Sequence, residues 1–370
     1  MNYSITFFLI CIAFAVQVYF IAFFFIPFVF KKDNQEINAE TQGVSVVVCA
    51  WNELENLKTL IPALLSQNHP LFDLIIVDDR STDGSLDYLR ELAKLDKRIK
   101  HLRIDETPNG MSAKKYAITL AIKASRFERI VFTDADCMPE SNNWLNAILS
   151  GYKDTNTKLV LGYSKYQKTS GFLNAFIRYE TSFTALQYLS MAFKRMPYMG
   201  VGRNLSYTKT TFLENNGFQP FMSFIAGDDD LIVQKLSNSY NTEIVTSHAS
   251  HTLSVPKQSW NEYFTQKIRH LNTGKHYTTR SKSILAILFL STLIFYICFG
   301  ILVCQTQTMY LALALWFVRT CLYVTIYYKL TKKLNDFQEW YFVPFLEIIY
   351  IFYYLGVGVV SLNKRKISWR

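Results

Sequence analysis

The sequence predicts a doubly wound α/β domain held between membrane-spanning helices. Residues 1–30 and 283–318 contain no Asp, Glu, Lys or Arg. One membrane span needs about 20 apolar residues, so each stretch is long enough to cross a membrane. Between them, short β-branched runs alternate with segments of helical periodicity, which is the pattern of a mostly parallel sheet covered by helices. The 370 residues leave room for one large domain of this kind between the spans.

Composition and charge narrow the class of protein. Hydrophobic residues make up 50% of the chain and charged residues 18%, which excludes a disordered chain. The net charge is +10, but much of the basic excess flanks the apolar segments, where positive charge orients a membrane protein and contacts anionic lipids. We therefore expect membrane lipids as partners and no nucleic acid. The six cysteines show no CxxC spacing, so neither a disulfide framework nor a structural zinc site is predicted.

The chain divides into five predicted segments. An N-terminal transmembrane anchor covers 1–32, because its apolar run is too long for a signal peptide and lacks a cleavage site. Lys31 and Lys32 follow the run, so the positive-inside rule places the next segment in the cytoplasm. A cytoplasmic α/β domain covers 43–255 and an interfacial amphipathic region covers 256–282. C-terminal transmembrane or re-entrant helices follow over 283–362, and a basic tail covers 363–370. The chain is thus expected to be a multi-pass integral protein of the cell membrane.

Two features of the C-terminal membrane region leave alternatives open. Residues 340–362 are long enough to span, but the basic residues after them would then lie outside, so a re-entrant or interfacial helix competes with a span. Arg319 lies inside the third apolar segment, where an ionisable group is costly and usually paired. Either it contacts a lipid phosphate or the substrate, or it pairs with Glu347, and we favour the pair.

The elements of the α/β domain follow from two periodicities. Continuous apolar runs predict strands buried on both faces, and apolar positions three and four residues apart predict helices packed on them. Two such strands with a helix between them form a β-α-β unit, which crosses over right-handedly. In chain order the predictions are strand 44–48, helix 53–67, strand 74–77, helix 84–95, strand 100–104, helix 112–124 and strand 129–132.

Acidic loops follow three of the predicted strands, at the sheet edge where ligands of such sheets bind. The loops are 49–53, 78–85 and 133–136. Any one of them could be a helix cap or a turn, but three at one edge indicate a divalent cation and a phosphorylated ligand. Asp134 and Asp136 can hold Mg²⁺ or Mn²⁺, and Lys114 and Lys115 can supply positive charge to the phosphates. The sequence does not indicate a dinucleotide-binding site or a P-loop, because no GxGxxG motif follows the first strand and no GxxxxGK[ST] motif occurs.

A general base is predicted from a run of three consecutive aspartates, 228–230. If these carboxylates are partly buried near a cleft, mutual repulsion raises their proton affinity into a range suited to a base. The alternative is an exposed helix start, where acidic residues complement the helix dipole.

Two segments have the pattern of helices that lie on a membrane surface. Gln266, Arg269 and His270 share one helical face, and three aromatic residues shortly before them suggest an amphipathic helix at the interface. The aromatic spacing in 171–193 predicts a second interfacial helix.

Five motifs, in order, resemble glycosyltransferase family 2, in its processive and membrane-bound members, which have the GT-A fold. The motifs are VVVCAWNE at 46–53, VDDRSTDGS at 77–85, TDAD at 133–136, GDDD at 227–230 and QKIRH at 266–270. The resemblance covers about 43–280. It implies the nucleotide-diphospho-sugar transferase fold and an inverting transfer of a hexose or N-acetylhexosamine from a nucleotide sugar, with a UDP-sugar as the expected donor.

The resemblance also implies where the donor binds. Ala50, Glu53 and Asp79 would contact the base and ribose, while Lys114 and Asp134 would help hold the rest of the donor. Asp134 and Asp136 look like the metal-binding DxD motif, with Mg²⁺ or Mn²⁺ as the cofactor.

The same resemblance implies the catalytic and acceptor-side residues. Two alignments of the acidic motif at 227–230 with the family motif are possible. If Asp-Leu at 230–231 is aligned with the end of the family motif, the base is Asp228. If the motif is aligned as Gly-Asp-Asp, the base is Asp229, which we slightly favour. Arg269 and Gln266 belong to the catalytic set, with Arg269 assisting the leaving diphosphate. His270 and Asn204 are expected on the acceptor side.

One departure from the family pattern bears on the product. The family's Gln-x-x-Arg-Trp motif ends here in His270, which stacks less well on a sugar ring, and the predicted spans are few for a polymer channel. Transfer of one or a few sugars to a lipid, lipid-linked or glycan acceptor of the cell envelope therefore fits better than long polymerisation. Two alternatives stay open: a membrane nucleotidyl- or phosphotransferase with a similar acidic metal site, and a catalytically inactive membrane scaffold of the same fold.

Overall fold

A computed structural model describes residues 3–32, 42–336 and 339–363. Residues 364–370, which form nearly all of the predicted basic tail, lie outside the described residues. The strands are β1 Val44–Ala50, β2 Phe72–Asp79, β3 Ile99–Ile104, β4 Arg129–Asp134, β5 Cys137–Pro139, β6 Leu159–Leu161, β7 Ser164–Tyr166, β8 Leu205–Thr208, β9 Thr242–Ile244 and β10 Thr252–Ser254.

The helices fall into those of the α/β domain and those of the apolar segments. The domain helices are α3 Leu54–Leu65, α4 Ser85–Leu95, α5 Ala113–Ala124, α6 Trp144–Leu149, α7 Phe172–Phe193, α8 Lys209–Glu214, α9 Asp230–Leu236 and α10 Trp260–Gly274. The helices of the apolar segments are α1 Tyr3–Phe20, α2 Ile26–Phe30, α11 Thr279–Val303, α12 Met309–Lys333 and α13 Val343–Asn363. A π-helical turn, Ile21–Phe25, joins α1 to α2.

The predicted parallel sheet is present. Strands β3, β2, β1 and β4 lie side by side in that order and all run parallel. Every residue of β2 is buried, as expected for a strand covered on both faces. Helices α3, α4 and α6 cover one face, while α5 and α7 cover the other. The doubly wound α/β class and the seven predicted elements are therefore confirmed.

The second half of the sheet is mixed rather than parallel. Strand β8 pairs antiparallel with β4, β6 pairs antiparallel with β8, and β9 pairs parallel with β6. A small separate sheet has the order β5-β10-β7. These strands have only three or four residues each, so their sequences carry little periodicity from which to predict them.

Strand register brings the predicted site loops to one edge. Cys49 of β1 lies opposite Val77 of β2 and Asp134 of β4, and Ala50 lies opposite Asp78. Because these strands are parallel, their carboxyl ends meet at the same edge.

Four helical segments in the described part of the chain are long and apolar enough to cross a membrane: Ser4–Phe30, Thr279–Val303, Met309–Lys333 and Trp340–Val360. These segments indicate a membrane protein. The last of them continues as one unbroken helix, α13, to Asn363, which favours a span over a re-entrant segment. Which side of the membrane the α/β domain occupies stays a prediction.

The buried arginine of the third span pairs with the expected partner. The Arg319 guanidinium donates two hydrogen bonds to Glu347, at 2.7 and 2.6 Å, and a third to Gln17 of α1. Arg319 is 1% exposed. The pair therefore ties three membrane helices together, which confirms the structural alternative for this residue.

The helix predicted over 171–193 is present as α7, but its predicted setting is wrong. Its side chains are buried along most of the helix, against the sheet on one side and against α2, α12 and α13 on the other. The aromatic spacing reflects a helix packed between two layers of protein. The predicted interfacial helix, α10, likewise buries Tyr263 against α7 and α13.

Candidate active site

The loops that follow β1 and β2 are tied together at the sheet edge. The backbone N–H of Asn52 donates to Ser81 Oγ at 2.8 Å, and the N–H of Leu54 donates to Asp83 Oδ2 at 2.9 Å. Asn52 adopts a left-handed φ of 55°, which asparagine tolerates better than most residues. Glu53, whose pKa is raised by burial, lies in the first of these loops, and Asp79, which accepts a hydrogen bond from Arg80 at 2.7 Å, ends β2.

Lys114 joins the sheet edge to the aspartate run. Its ammonium lies 3.0 Å from Asp134 Oδ1 and 2.9 Å from Asp228 Oδ2. Burial opposes its charge, but the two carboxylates outweigh that effect and raise the pKa of Lys114 well above its usual value. The pKa of Asp228 is lowered in turn. Burial alone would raise it, but the charge of Lys114 and the hydrogen bond from Lys114 outweigh the effect of burial. Lys114 therefore stays a cation and Asp228 an anion.

Asp229 has a different environment from its neighbour. Its carboxylate accepts hydrogen bonds from two backbone N–H groups, that of Gly202 at 3.1 Å and that of Asp230 at 2.8 Å. Burial and the Asp228 charge raise the pKa of Asp229. A fixed carboxylate with an elevated proton affinity has the properties of a general base.

Asp230, the third aspartate, faces a tyrosine. The Tyr277 hydroxyl donates to Asp230 Oδ2 at 2.7 Å. Burial, followed by the Asp229 charge, raises the pKa of Asp230 to about 8. Asp230 begins α9, so the run is indeed a helix start, but a buried one.

Lys115 does not supply charge to a ligand, as its neighbour Lys114 can. It is fully buried, and its ammonium donates to the carbonyl oxygens of Phe224 and Ala226, the latter at 2.7 Å. Burial lowers its pKa to about 8. The prediction for Lys115 is wrong because adjacent residues on a helix point about 100° apart, so only one of the two lysines reaches the cleft.

Asp134 and Asp136 fit a divalent cation. Ligand atoms of Asp134, Asp136 and Cys137 all lie within 4.8 Å of one another. Burial, followed by the Asp136 charge, raises the pKa of the Cys137 thiol well above its usual value, so this sulfur stays protonated and is a poor ligand. The two carboxylates remain, and carboxylate oxygens are the ligands that Mg²⁺ and Mn²⁺ prefer.

One large cavity of about 800 Å³ connects these groups to the membrane helices. Lys114, Asp134 and the three aspartates line one end. Residues of α7, α10, α11 and α13 line the rest of the cavity. The face of α10 predicted from the sequence does border it, with Gln266, Arg269 and His270 in its lining.

Asn204 does not reach the acceptor side of this cavity. Its side chain is fully buried, donates to the carbonyl oxygens of Tyr163 and Ser250, and accepts from Trp144 Nε1 at 3.1 Å. These bonds use its donors and its oxygen, so the prediction of an acceptor contact is wrong. Its neighbour Arg203 lines the cavity instead, with its guanidinium over the Tyr166 ring and bonded to Ser254.

Comparison with known proteins agrees with this geometry. Residues 45–206 match the family model "Glycosyl transferase family 2". The chain is 29% identical over 154 residues to glycosyltransferase AglE of Haloferax volcanii, an alignment that covers 41% of this chain and 48% of that protein. It is 28% identical over 120 residues to the 4,4'-diaponeurosporenoate glycosyltransferase of Staphylococcus haemolyticus, covering 32% and 31%. The chain thus spans less than half the length of these curated relatives.

A solved structure matches nearly the whole chain. The mannosyltransferase PcManGT from Pyrobaculum calidifontis, determined in complex with GDP-Man and Mn²⁺, superposes with a TM-score of 0.65 at 15% sequence identity. The match covers 99% of this chain and 100% of that one, so the shared fold includes the membrane helices as well as the α/β domain.

Proposed function

We propose that this chain, whose residues 45–206 match the model of glycosyl transferase family 2, transfers one or a few sugars from a nucleotide sugar to a lipid or lipid-linked acceptor. The observation that carries the proposal is a cavity lined both by Lys114 and Asp134 of the sheet edge and by apolar residues of the membrane helices. A soluble acceptor would need no such apolar lining. We place the reaction at the cytoplasmic membrane face.

The donor would bind along the sheet edge. Ala50, Glu53 and Asp79 lie at the ends of β1 and β2, where a nucleoside binds in sheets of this topology. Lys114 lies beside Asp134 and is placed to contact the diphosphate. Asp134 and Asp136 would hold Mg²⁺ or Mn²⁺, which supplies Lewis-acid stabilisation of a diphosphate leaving group.

The chemistry assigned to the chain's own residues is a single displacement. The acceptor hydroxyl oxygen forms a bond to the anomeric carbon, the bond from that carbon to the diphosphate breaks, and its electron pair leaves with the diphosphate. Asp229 takes the hydroxyl proton, because its pKa is raised, whereas the pKa of Asp228, which pairs with Lys114, is lowered. Arg269 borders the same cavity and is placed to offset charge on the departing diphosphate.

A donor screen tests the proposal. Purified protein in detergent, with Mn²⁺ or Mg²⁺, is offered a panel of UDP- and GDP-sugars, and in parallel nucleoside triphosphates. We expect slow hydrolysis of at least one nucleotide sugar, lost with EDTA and restored by the metal. Turnover of triphosphates alone would indicate the nucleotidyl- or phosphotransferase alternative, and binding without turnover under every condition would indicate an inactive scaffold.

A further inference from the structure

Polar and apolar side chains both line the long cavity. Helices α11 and α13 contribute mainly aliphatic and aromatic ones: Leu285, Leu288, Phe289, Tyr350, Ile351 and Tyr354. Helix α7 contributes the polar Glu180, Thr181, Thr184 and Gln187 together with the apolar Phe183 and Ala185, and this lining is called the α7 wall. A ligand that fills the cavity therefore meets both kinds of surface.

The polar residues of α7 form one continuous stripe. Glu180, Thr184 and Gln187 are spaced i, i+4 and i+7, so they share one helical face. Thr181, which is partly exposed, lies beside them. Along this part of a mostly buried helix, the stripe lines the cavity together with Phe183, Ala185 and Tyr188.

Hydrogen-bonding capacity on this wall is only partly used. The Tyr263 hydroxyl and the Lys267 ammonium both bond to Oε2 of Glu180, whereas Oε1 has only a long contact of 3.5 Å with Thr184. The Gln187 side chain makes no hydrogen bond with another described residue. On α10, the buried Oε1 of Gln266 likewise has no partner among the described residues. Leaving such an amide oxygen unpaired is costly, so a ligand that donates hydrogen bonds is favoured.

We infer that the α7 stripe is a subsite for the hydroxyl-bearing glycan head group of a lipid-linked acceptor, an inference that rests on the proposed glycosyltransferase function. Sugar hydroxyls both donate and accept, which suits a carboxylate, a threonine and two amides. The lipid chain extends along α11 and α13. The head group is thereby led toward Asp229, which needs a proton-bearing nucleophile.

A bare lipid phosphate fits this wall poorly. An ionised phosphate monoester only accepts hydrogen bonds, so it cannot satisfy the oxygens of Glu180 and Gln266. Its negative charge would also meet Glu180, where like charges repel, and Lys267 is already held by Glu180. The cavity has other cations, Arg203, Arg269, Lys275 and Lys282, but they lie outside the stripe, so a phosphate would bind beside them rather than on α7.

The test compares acceptors that share one lipid chain. Farnesyl glycosides of glucose, galactose, mannose and N-acetylglucosamine are each offered alongside farnesyl phosphate, with the nucleotide sugar found in the donor screen, and products are measured by mass spectrometry. We expect transfer to at least one glycoside and little or none to the phosphate. Transfer to farnesyl phosphate at an equal or higher rate, or to no glycoside, would overturn the inference while leaving the proposed function in place. A protein that turns over no nucleotide sugar would remove the proposed function and this inference with it.

Variants of the stripe give a second readout. Glu180→Gln removes a charged hydrogen-bond acceptor, so KM for the glycoside should rise roughly tenfold while KM for the nucleotide sugar is unchanged. Thr184→Val has nearly the same volume and should raise the glycoside KM by a smaller factor even if Glu180→Gln folds poorly. Glu262→Gln, on the exposed side of α10, is the matched control and should change neither value. Unchanged glycoside KM in both stripe variants would contradict the subsite.

Discussion

The sheet edge and the α7 wall border the same cavity, yet they are built in opposite ways. The edge is made of short contiguous segments at the ends of parallel strands, so Asp79 of β2 and Asp134 of β4 reach one edge through strand register, and Lys114 of α5 contacts Asp134 there. The α7 wall, like the lining from α10, α11 and α13 around it, is made of single side chains that meet only through helix packing. The comparison suggests that the residues for the reaction are set by short sequence segments, whereas the residues that select the acceptor are set by tertiary packing. Changes at the edge should therefore abolish turnover, whereas changes at the wall should alter stability or acceptor affinity.

The largest expected effect is at the edge end of the cavity. Asp229→Asn keeps the shape of the side chain, but the amide nitrogen that replaces one oxygen cannot accept, so one of the hydrogen bonds from Gly202 and Asp230 is lost. The substitution also removes the base, so kcat should fall about 10²- to 10⁴-fold with little change in nucleotide-sugar binding. Steady-state kinetics and calorimetric binding measure the two quantities. Asp87→Asn, an exposed carboxylate on α4, is the control. Wild-type turnover in Asp229→Asn would show that the base lies elsewhere.

The next largest effect concerns the membrane helices behind the wall. Arg319→Met leaves Glu347 buried without its cation, which should cost about 3–5 kcal/mol of stability and lower the thermal midpoint in detergent. The double variant Arg319→Met/Glu347→Leu removes both charges and should recover much of that loss. If the single variant melts like the wild type, the ion pair does not hold the wall in place.

Lys115 tests how the aspartate run is positioned. Lys115→Met leaves the carbonyl oxygens of Phe224 and Ala226 without their donor, which should cost about 1–3 kcal/mol and lower kcat, because these residues precede Gly227. Lys123→Met, an exposed lysine on the same helix, should do neither. Equal thermal midpoints and equal kcat for the two variants would rule out a role for Lys115 in holding the turn.

The effect with the smallest single step is the pH dependence of stability from Asp230, because it is spread over several pH units. Its pKa is about 8 in the folded protein against a usual 3.8, so the folded state keeps a proton that the unfolded state releases. The stabilisation this gives is complete below 3.8 and is lost as pH rises through about 8. Asp230→Asn stays neutral and can still accept from Tyr277. The wild type should therefore lose stability relative to this variant between about pH 5 and pH 9, by at most about 1.4 kcal/mol per pH unit; parallel curves would contradict the assigned pKa.

Sequence patterns predicted the parts of the molecule that depend on local order. The β1-α3-β2 unit and the acidic loops lie where predicted because buried strands and their ends are marked by contiguous residues. The Arg319–Glu347 pair was predictable because a membrane core strongly favours a partner for a buried charge.

The remaining features depend on which way a side chain points. Lys114 and Lys115 are adjacent and chemically equal, and only the rotation of α5 sends one to the cleft and the other to the Phe224 carbonyl. Asn204 was misplaced because its hydrogen-bond partners come from distant segments. The α7 stripe went unnoticed because partial exposure along a mostly buried helix is set by its neighbours. A polar i, i+4, i+7 pattern in an aromatic helix was the available signal.

The most direct test of the central claim is the anomeric configuration of the product. A single displacement with Asp229 as base predicts inversion, so an α-linked nucleotide sugar should yield a β-linked product, read from the one-bond coupling between C1 and H1 in the NMR spectrum. Asp229→Asn should give at least about a hundredfold less product under the same conditions. An α-linked product would contradict the account, because it requires a second displacement or a different mechanism that does not use Asp229 as the base for direct attack.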